Sequence, residues 1–327
     1  MINSSSNRSL RTARAASLLL VALVTGCGPV KKTTHIAPAQ QIRPALSATK
    51  AQLVAAYNAQ AASVQSLNAT VDLALTAGSE YTGVIEQYHD VHAFILAQRP
   101  ASIRMIGQAP VVAKDVFDMT SDGQTFRIFI PSQNKFLTGS DTLMRAAKKP
   151  IENLRPQHVI DALFWPAIPD GSPVLFEEYG QSPNRFYILT LLRQGDSGPE
   201  IARKIWFDRA DLSIARVQIY GPAGRLDSDI AYSQWSPPAS ESVAPPSSAA
   251  PPAAAASAPA PGQFAREIHL RRPQEDYALE IHVAKLALNA PISADHFDLE
   301  QPPGSTLVQV DDQSAADQPA GQNGGQP

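Results

Sequence analysis

Hydrophobic and polar positions alternate along most of the chain after residue 65, in short segments separated by turn dipeptides such as Asp122-Gly123 and Ala223-Gly224. A period of two residues is typical of β-strands with one face buried. Short consecutive strands pair with their neighbours along the chain, so the pattern predicts a mostly antiparallel sheet. The predicted strands cover residues 70–76, 83–98, 101–109, 114–121, 125–131, 173–179, 184–193, 201–208, 212–220, 226–235, 264–271 and 277–288.

Two regions have helical spacing instead. Thr49 and Gln52 have the spacing of a capping box, and they open a helix whose apolar stripe is Leu53, Tyr57, Ala61 and Val64. Between residues 138 and 169, Asp141 can cap a short helix that ends at Lys148. Arg155-Pro156 then opens a second central helix, with Val159, Ile160, Leu163 and Phe164 on its apolar face.

Some predicted strands are apolar on both faces. In residues 186–192 both alternating sets are hydrophobic, and residues 126–130 carry apolar side chains on each side. Such a sheet needs a cover on both faces. The helices can supply these covers around an ordinary filled core, or they can close a cavity that accepts an acyl chain. The residues that would line this cavity are Phe126, Ile128, Ile130, Phe186 and Ile188, with Leu163 and Phe164 from the central helix.

Composition divides the chain into segments. Residues 1–26 combine three arginines with a short apolar run, which is the pattern of an export signal. Residues 27–46 are expected to form a polar tether, and residues 47–310 a single domain. In residues 236–261, 24 of 26 residues are Ala, Pro or Ser, which predicts a disordered insertion between neighbouring strands. Residues 311–327 are expected to be a disordered tail.

Cys27 is the only cysteine of the chain, so it has no intramolecular disulfide partner. Val24-Thr25-Gly26-Cys27 resembles the bacterial lipobox, in which small residues precede a cysteine that receives lipid. The resemblance implies cleavage before Cys27 and a lipid anchor on its thiol. Gly28 follows instead of the aspartate that marks inner-membrane retention, so the outer membrane, facing the periplasm, is the expected location.

Charge and motifs argue against several classes of function, and an enzyme is the least supported of the three hypotheses. Removing residues 1–26 takes the formal charge from -3 to -6, and no basic stripe with aromatics indicates nucleic acid as a partner. No GxSxG, GxGxxG, HExxH or P-loop motif occurs, so neither an enzyme nor a cofactor is predicted. His269 and His282 can face each other across a hairpin, but without a ligand motif ordinary surface histidines are favoured over a metal site.

Several ordered motifs resemble the LolA and LolB lipoprotein-carrier superfamily. They include Arg99-Pro100, Gln108-Ala109-Pro110, residues 121–126 (SDGQTF), Phe129-Ile130-Pro131, Phe207-Asp208-Arg209, residues 232–235 (YSQW), Phe297-Asp298-Leu299 and Pro302-Pro303-Gly304. The resemblance implies an α+β, mainly β fold: a strongly curved antiparallel sheet, an incomplete barrel, whose concave face is covered by an N-terminal helix and central helices. It also implies binding of lipoprotein acyl chains, with Arg99 as a latch that hydrogen-bonds to the helical lid.

These features predict a lipid-anchored protein whose partners are the membrane, acyl chains of lipoproteins or another lipid, and a periplasmic lipoprotein carrier. It would assist lipoprotein localisation or outer-membrane maintenance. The alternative is a structural or interaction lipoprotein of the envelope with no ligand cavity. The two hypotheses differ in whether the space between the sheet and the helices is an unfilled apolar cavity or a core filled with side chains.

Overall fold

The computed structural model describes residues 44–79, 83–109, 114–141, 155–181, 184–237 and 262–310. This part of the chain consists of two helices and fourteen strands. Helix α1 is Lys50–Ser63 and helix α2 is Pro156–Leu163. The strands are β1 Ser66–Ser79, β2 Val84–Gln98, β3 Ser102–Gln108, β4 Asp115–Ser121, β5 Thr125–Ile130, β6 Lys135–Ser140, β7 Val174–Gln181, β8 Asn184–Gly195, β9 Gly198–Asp208, β10 Ile214–Tyr220, β11 Leu226–Ser236, β12 Phe264–Arg272, β13 Tyr277–Leu288 and β14 Thr306–Gln309.

All fourteen strands belong to one sheet, in the order β14-β6-β5-β4-β3-β2-β1-β13-β12-β11-β10-β9-β8-β7. Neighbouring strands are antiparallel, with the exception of β6 and β14, which are parallel. Strands β1 and β13, far apart in the chain, pair at the middle of this order, from Leu67 opposite Leu288 to Ala77 opposite Tyr277. In the described residues β7 and β14 each pair on one side only, so the sheet is not closed.

The sheet is strongly curved around the helices. Helix α2 contacts β3, β4 and β12, although β4 and β12 are five strands apart in the sheet. Five strand spacings in a flat sheet measure about 24 Å, whereas a helix of eight residues is about 12 Å long. The sheet must therefore bend to bring these strands to the same short helix.

Helix α1 begins as the sequence predicts. Thr49 accepts a hydrogen bond from the amide of Gln52, and the Gln52 side chain accepts one from the amide of Thr49. Its buried residues include Leu53, Tyr57 and Ala61, three of the four positions of the predicted apolar stripe. The fourth, Val64, is the C-cap residue and is also buried.

Helix α2 also follows the prediction for the second central helix. Pro156 occupies its first turn, where a missing amide hydrogen costs nothing. Six of its eight residues are buried, and Phe164 is the C-cap residue. The other predicted central helix lies almost wholly outside the described residues, which stop at Asp141 and resume at Arg155. Within the described part of the chain, neither helix is long and apolar enough to cross a membrane.

Two strands were not predicted. Strand β6 extends to Ser140 and so includes residues 138–140, for which helical spacing was expected. Strand β14 is only four residues long and had no predicted counterpart. The predicted strands around residues 226–235 and 264–271 are confirmed as hydrogen-bonded neighbours, with Ser236 opposite Phe264. These two strands flank the Ala/Pro/Ser-rich segment, which lies outside the described residues except for its first two residues.

Candidate functional site

Arg99 joins the sheet to both helical segments. It follows β2 directly, and its guanidinium reaches three main-chain carbonyl oxygens. Nε donates to Val64 at 2.9 Å, and Nη2 donates to Ala61 at 2.9 Å and to Trp165 at 3.0 Å. Ala61 and Val64 are at the end of α1, while Trp165 follows α2. A single side chain therefore holds the ends of both helices against the turn between β2 and β3.

The side chain of Arg99 is partly buried. Its guanidinium lies 5.1 Å above the centre of the Phe164 ring. Burial lowers the pKa of Arg99 from its usual value, and the Coulombic interaction with Tyr57 partly offsets this effect. The three carbonyl dipoles compensate the charge in place of water. Loss of these hydrogen bonds would therefore favour moving the guanidinium into solvent.

Helix α1 is also tied directly to the segment that follows α2. The Tyr57 hydroxyl donates to the carbonyl oxygen of Pro166 at 3.2 Å, and Nη1 of Arg203 donates to that hydroxyl at 3.0 Å. Asn58 exchanges two hydrogen bonds with the main chain of Ile168, at 3.0 and 2.8 Å. We refer to α1, α2 and residues 164–168 as the cap. Its two helical parts are linked to each other as well as to the sheet.

Aromatic side chains fill the space between the cap and the sheet. Trp165 stacks on Tyr57 with ring centroids 5.9 Å apart, and it meets Tyr232 edge to face at 5.2 Å. Nε1 of Trp165 donates to the Tyr232 hydroxyl at 2.7 Å, and this hydroxyl donates to the carbonyl oxygen of Ala162 at 2.9 Å. Burial raises the pKa of Tyr232 far above its usual value. The cap is therefore closed onto a satisfied aromatic cluster in this conformation.

A buried polar pair lies under α2. The hydroxyl of Tyr277 and Nδ1 of His158 share a hydrogen bond, and the two rings stack with centroids 5.9 Å apart. Burial lowers the pKa of His158 well below its usual value, and the positive charges of Arg272 and Arg155 act in the same direction. His158 is therefore a neutral imidazole near pH 7. Protonation of this group would oppose the packing of α2.

Five of the seven predicted cavity residues lie on the face of the sheet that the cap covers, or in the cap. Leu163, Phe164 and Phe126 are buried, and Phe126 packs under the guanidinium of Arg155 at 4.7 Å. Ile128 is half-buried against the core, and Ile130 is two residues further on the same side of β5. The interior they share is occupied by side chains of the protein.

Phe186 and Ile188 do not belong to this group. Tyr187 and Leu189 belong to the main core, so strand alternation places Phe186 and Ile188 on the opposite, outer face. There Phe186 contacts Trp206 edge to face at 5.6 Å and lines an open cleft of about 300 Å³ with Trp206, Arg216 and Asp229. The sequence could not separate the two sets, because both alternating sets of β8 are apolar.

Several residues of the site were not singled out from the sequence as site residues. Tyr57 was predicted only as an apolar position of α1, whereas Trp165, Tyr232 and His158 had no assigned role in the site. Trp165 and its partner Tyr232 are 67 residues apart in the chain, and His158 and its partner Tyr277 are 119 residues apart. No local spacing in the sequence could indicate these pairs. The predicted lipid attachment residue, Cys27, lies outside the described residues.

The polar side chains of the cap and its surroundings are engaged with other protein groups. In the described residues, no group of three or more His, Cys, Asp or Glu side chains is assembled to hold a metal ion. The polar side chains at the cap hydrogen-bond to main-chain carbonyls or to each other. The outer face of the sheet carries the half-exposed histidines His92, His269 and His282.

No protein-family model matches the chain, and no curated protein matches it. Solved structures that are similar to it include the following three. A DUF1329 family protein from Desulfovibrio piger has a TM-score of 0.45 and 13% identity, covering 76% of this chain and 96% of that one. A LolA superfamily protein from Nitrosomonas europaea has a TM-score of 0.42 and 10% identity, covering 77% and 99%. A Vibrio parahaemolyticus domain named for outer membrane lipoprotein sorting has a TM-score of 0.41 and 9% identity, covering 75% and 95%.

The class defined by the coordinates is a curved, unclosed and mainly antiparallel sheet with a helical cap on one face.

Proposed function

We propose that this protein is anchored in the outer membrane through lipid on Cys27, faces the periplasm, and binds acyl chains or another hydrophobic segment beneath its cap. In this role it receives lipoproteins from a periplasmic carrier or helps to maintain the outer membrane. It acts by binding and carries out no reaction. The observation that carries the proposal is the triple hydrogen bond of Arg99, which ties two separate parts of the cap to the sheet.

The contacts of the cap favour a part that can open as a unit. Arg99 bonds to main-chain carbonyls at both helical ends, so releasing one side chain frees both from the turn after β2. Opening would expose the aromatic cluster and the apolar face that includes Ile128. An acyl chain could then replace the contacts that the cap makes, with about 0.8 kcal/mol gained for each buried methylene.

The closed packing of Tyr57, Trp165 and Tyr232 favours the second candidate, a structural or interaction lipoprotein without a ligand cavity. In that case the cap is a permanent part of the core. The two candidates differ in whether lipid reaches the sheet under the cap. They share the lipid anchor, which lies outside the described residues.

Photo-crosslinking in intact cells distinguishes them. A photoreactive amino acid is placed at Ile128, on the cap side of β5, or at Phe129, its half-buried neighbour on the other side. The proposal predicts crosslinks to lipid or to lipoprotein acyl chains from position 128 and far fewer from position 129. Equal yields at the two positions, or no acyl adduct at position 128, would favour the structural candidate.

The anchor is tested in the same cells by mass spectrometry of the N-terminal peptide. The proposal predicts a chain that begins at Cys27 and carries acyl groups, and a Cys27→Ser variant that keeps residues 1–26 and has no acyl group. An unmodified Cys27 at a processed or internal position would contradict the lipid anchor. The binding role would still be tested separately by the crosslinking result at Ile128.

A further inference from the structure

Histidine and carboxylate side chains alternate across four adjacent strands on the outer face of the sheet, opposite the cap. His92 of β2 is opposite Asp72 of β1, which is opposite His282 of β13, which is opposite Glu267 of β12. Nδ1 of His92 lies 2.9 Å from a carboxylate oxygen of Asp72. Directly opposed side chains in a sheet are about 5 Å apart at Cβ, so these four residues form a continuous row.

A second histidine and a second carboxylate adjoin this row on the hairpin of β12 and β13. His269 is opposite Glu280, two residues along each strand from Glu267 and His282. The rings of His269 and His282 approach with centroids 6.3 Å apart at an interplanar angle of 83°. We call His269, His282, Glu267 and Glu280 the hairpin cluster. It places two imidazoles beside each other, with a carboxylate opposite each one.

The distances within the hairpin cluster are unusual for simple hydrogen-bonded pairs. Nδ1 of His269 is 3.7 Å from Oε1 of Glu280, and Nδ1 of His282 is 3.8 Å from Oε1 of Glu267. Both exceed the range of about 2.7–3.2 Å for a hydrogen bond from nitrogen to oxygen. Two ligand atoms on a four-coordinate zinc ion, with bonds of about 2.0–2.2 Å, are roughly 3.4 Å apart. The separation of Nδ1 of His282 from Oε1 of Glu267 is close to this spacing, so a modest rotation of the two side chains would let both atoms reach one ion.

Strand β11 holds the carboxylate of Glu267 in place. The Ser233 hydroxyl donates to Oε2 at 2.8 Å, and Nε2 of Gln234 donates to Oε1. Consecutive residues of a regular strand point to opposite faces, yet both of these reach the same carboxylate. Gln234 has a left-handed backbone conformation with φ of 56°. In the pairing of β11 with β12, Ser233 is opposite Glu267 and Trp235 is opposite Ala265, whereas Gln234 between them is not paired with a residue of β12. This local backbone conformation directs the Gln234 side chain towards Glu267.

We propose that the hairpin cluster binds one divalent first-row metal ion, with His269 and His282 as nitrogen ligands and Glu267 as an oxygen ligand. Glu280 or water completes the coordination. Imidazole with carboxylate suits Zn²⁺, Ni²⁺ or Cu²⁺, whereas Mg²⁺ and Ca²⁺ prefer oxygen ligands throughout. Ser233 and Gln234 are positioning residues that orient Glu267. The ligands are not assembled round one point in this conformation, so the ion draws them together by side-chain rotation.

This site is independent of acyl binding, because strand alternation places it on the face of the sheet away from the cap. Ile268 and Ile281, the neighbours of its ligands along β12 and β13, point into the core. A bound ion would join β12 to β13 on the outer face of the sheet. The site can therefore be present whether or not the cap opens.

The site is tested by calorimetric titration of the full-length protein in detergent micelles with Zn²⁺. We expect one saturable site, a loss of affinity of at least about tenfold in His269→Ala and in His282→Ala, and loss of the site in the double variant. The matched control is His296→Ala, an exposed histidine of the 3-10 turn Ala294–Phe297, which should bind as the unaltered protein does. All variants keep Cys27 and the remaining histidines, so the difference reports on the hairpin cluster.

A Gln234→Ala variant provides a second measurement that leaves every metal ligand in place. Removal of a group that orients a ligand typically lowers metal affinity by about 10- to 100-fold, and we expect a loss in this range. Circular dichroism should be the same for all variants, because the replaced side chains lie on the surface. Absence of saturable Zn²⁺ binding, or binding by the double variant equal to that of the unaltered protein, would overturn the proposal.

Discussion

Arg99 donates a hydrogen bond from Nη2 to the carbonyl oxygen of Trp165 at 3.0 Å, across 66 residues of sequence. The same nitrogen donates to Ala61 at the end of α1. One side chain at the end of β2 therefore bonds to two parts of the cap that are distant in the chain. Substitution of Arg99 is therefore a direct experimental test of whether the cap can open.

Replacing Arg99 by leucine should loosen the cap without unfolding the sheet. Leucine keeps apolar volume beside Phe164 but leaves the carbonyls of Ala61, Val64 and Trp165 without their donor. Hydrogen exchange of the full-length chain should become at least about tenfold faster at the end of α1 and in residues 164–168, equivalent to about 1.4 kcal/mol of opening free energy.

The matched control for this change is Arg127→Leu, on the side of β5 away from the cap. It should leave exchange in the cap unchanged. If Arg99→Leu also leaves the cap as protected as before, Arg99 is an ordinary strand-end residue and has no latch role. Faster exchange in both variants would indicate general destabilisation instead of release of the cap.

Replacing Tyr232 by phenylalanine should destabilise the closed protein. The hydroxyl accepts from Nε1 of Trp165 and donates to the carbonyl oxygen of Ala162, so its removal leaves two buried polar groups without a partner. Such a loss typically costs about 1–3 kcal/mol for each group. Urea denaturation followed by tryptophan fluorescence should show a lower transition midpoint.

Tyr220→Phe is the comparison for this experiment. The Tyr220 hydroxyl donates to Oε1 of Gln218 at 3.2 Å at a partly buried position. Its loss should lower the free energy of unfolding by less than about 1 kcal/mol, because water can replace the partner. A Tyr232→Phe midpoint no lower than that of Tyr220→Phe would show that the hydrogen bonds of Tyr232 contribute little to closure.

Acidification should weaken the packing of α2 through His158. Its pKa is lower in the folded chain than the usual value of 6.5, mainly because the imidazole is buried. As the pH falls through 6.5, the unfolded chain therefore takes up a proton before the folded chain does, and the free energy of unfolding decreases. The contribution of this group is at most about 1.4 kcal/mol for each pH unit below 6.5.

The measurement compares unfolding of the unaltered protein with that of His158→Gln at pH 7.5 and pH 5.5. The variant should be less stable at pH 7.5, because the pair with Tyr277 is altered, but its stability should fall less on acidification. His296→Gln, at an exposed position, serves as the control and should retain the original pH dependence. Parallel curves for the protein and His158→Gln would exclude His158 as the titrating group.

Local sequence patterns predicted most of the elements. The capping box at Thr49 and the proline that opens α2 depend on contacts between near neighbours, so their spacing is sufficient to find them. Strand β6 was missed in part because residues from Thr138 onwards had helical spacing. The short β14 pairs in parallel with β6 across more than 160 residues, and no local pattern records such a partner.

The candidate site was only partly accessible from the sequence. Arg99 was selected through resemblance to a family motif, and its three carbonyl partners could not have been named in advance. His269 and His282 were expected to face each other across the hairpin, but they are diagonal neighbours, and each lies opposite a carboxylate. The register that adds Asp72 and His92 joins strands from opposite ends of the chain. Gln234 has a backbone conformation that its residue type does not signal.

The pairing of Ser236 with Phe264 has a practical consequence. Because the last residue of β11 and the first of β12 already face each other, the residues between them begin and end at one place on the sheet. The entropy of closing such a connection grows only slowly with its length. A fluorescent reporter spliced into this connection should therefore leave the register of both strands intact, which offers a means of following the protein in living cells.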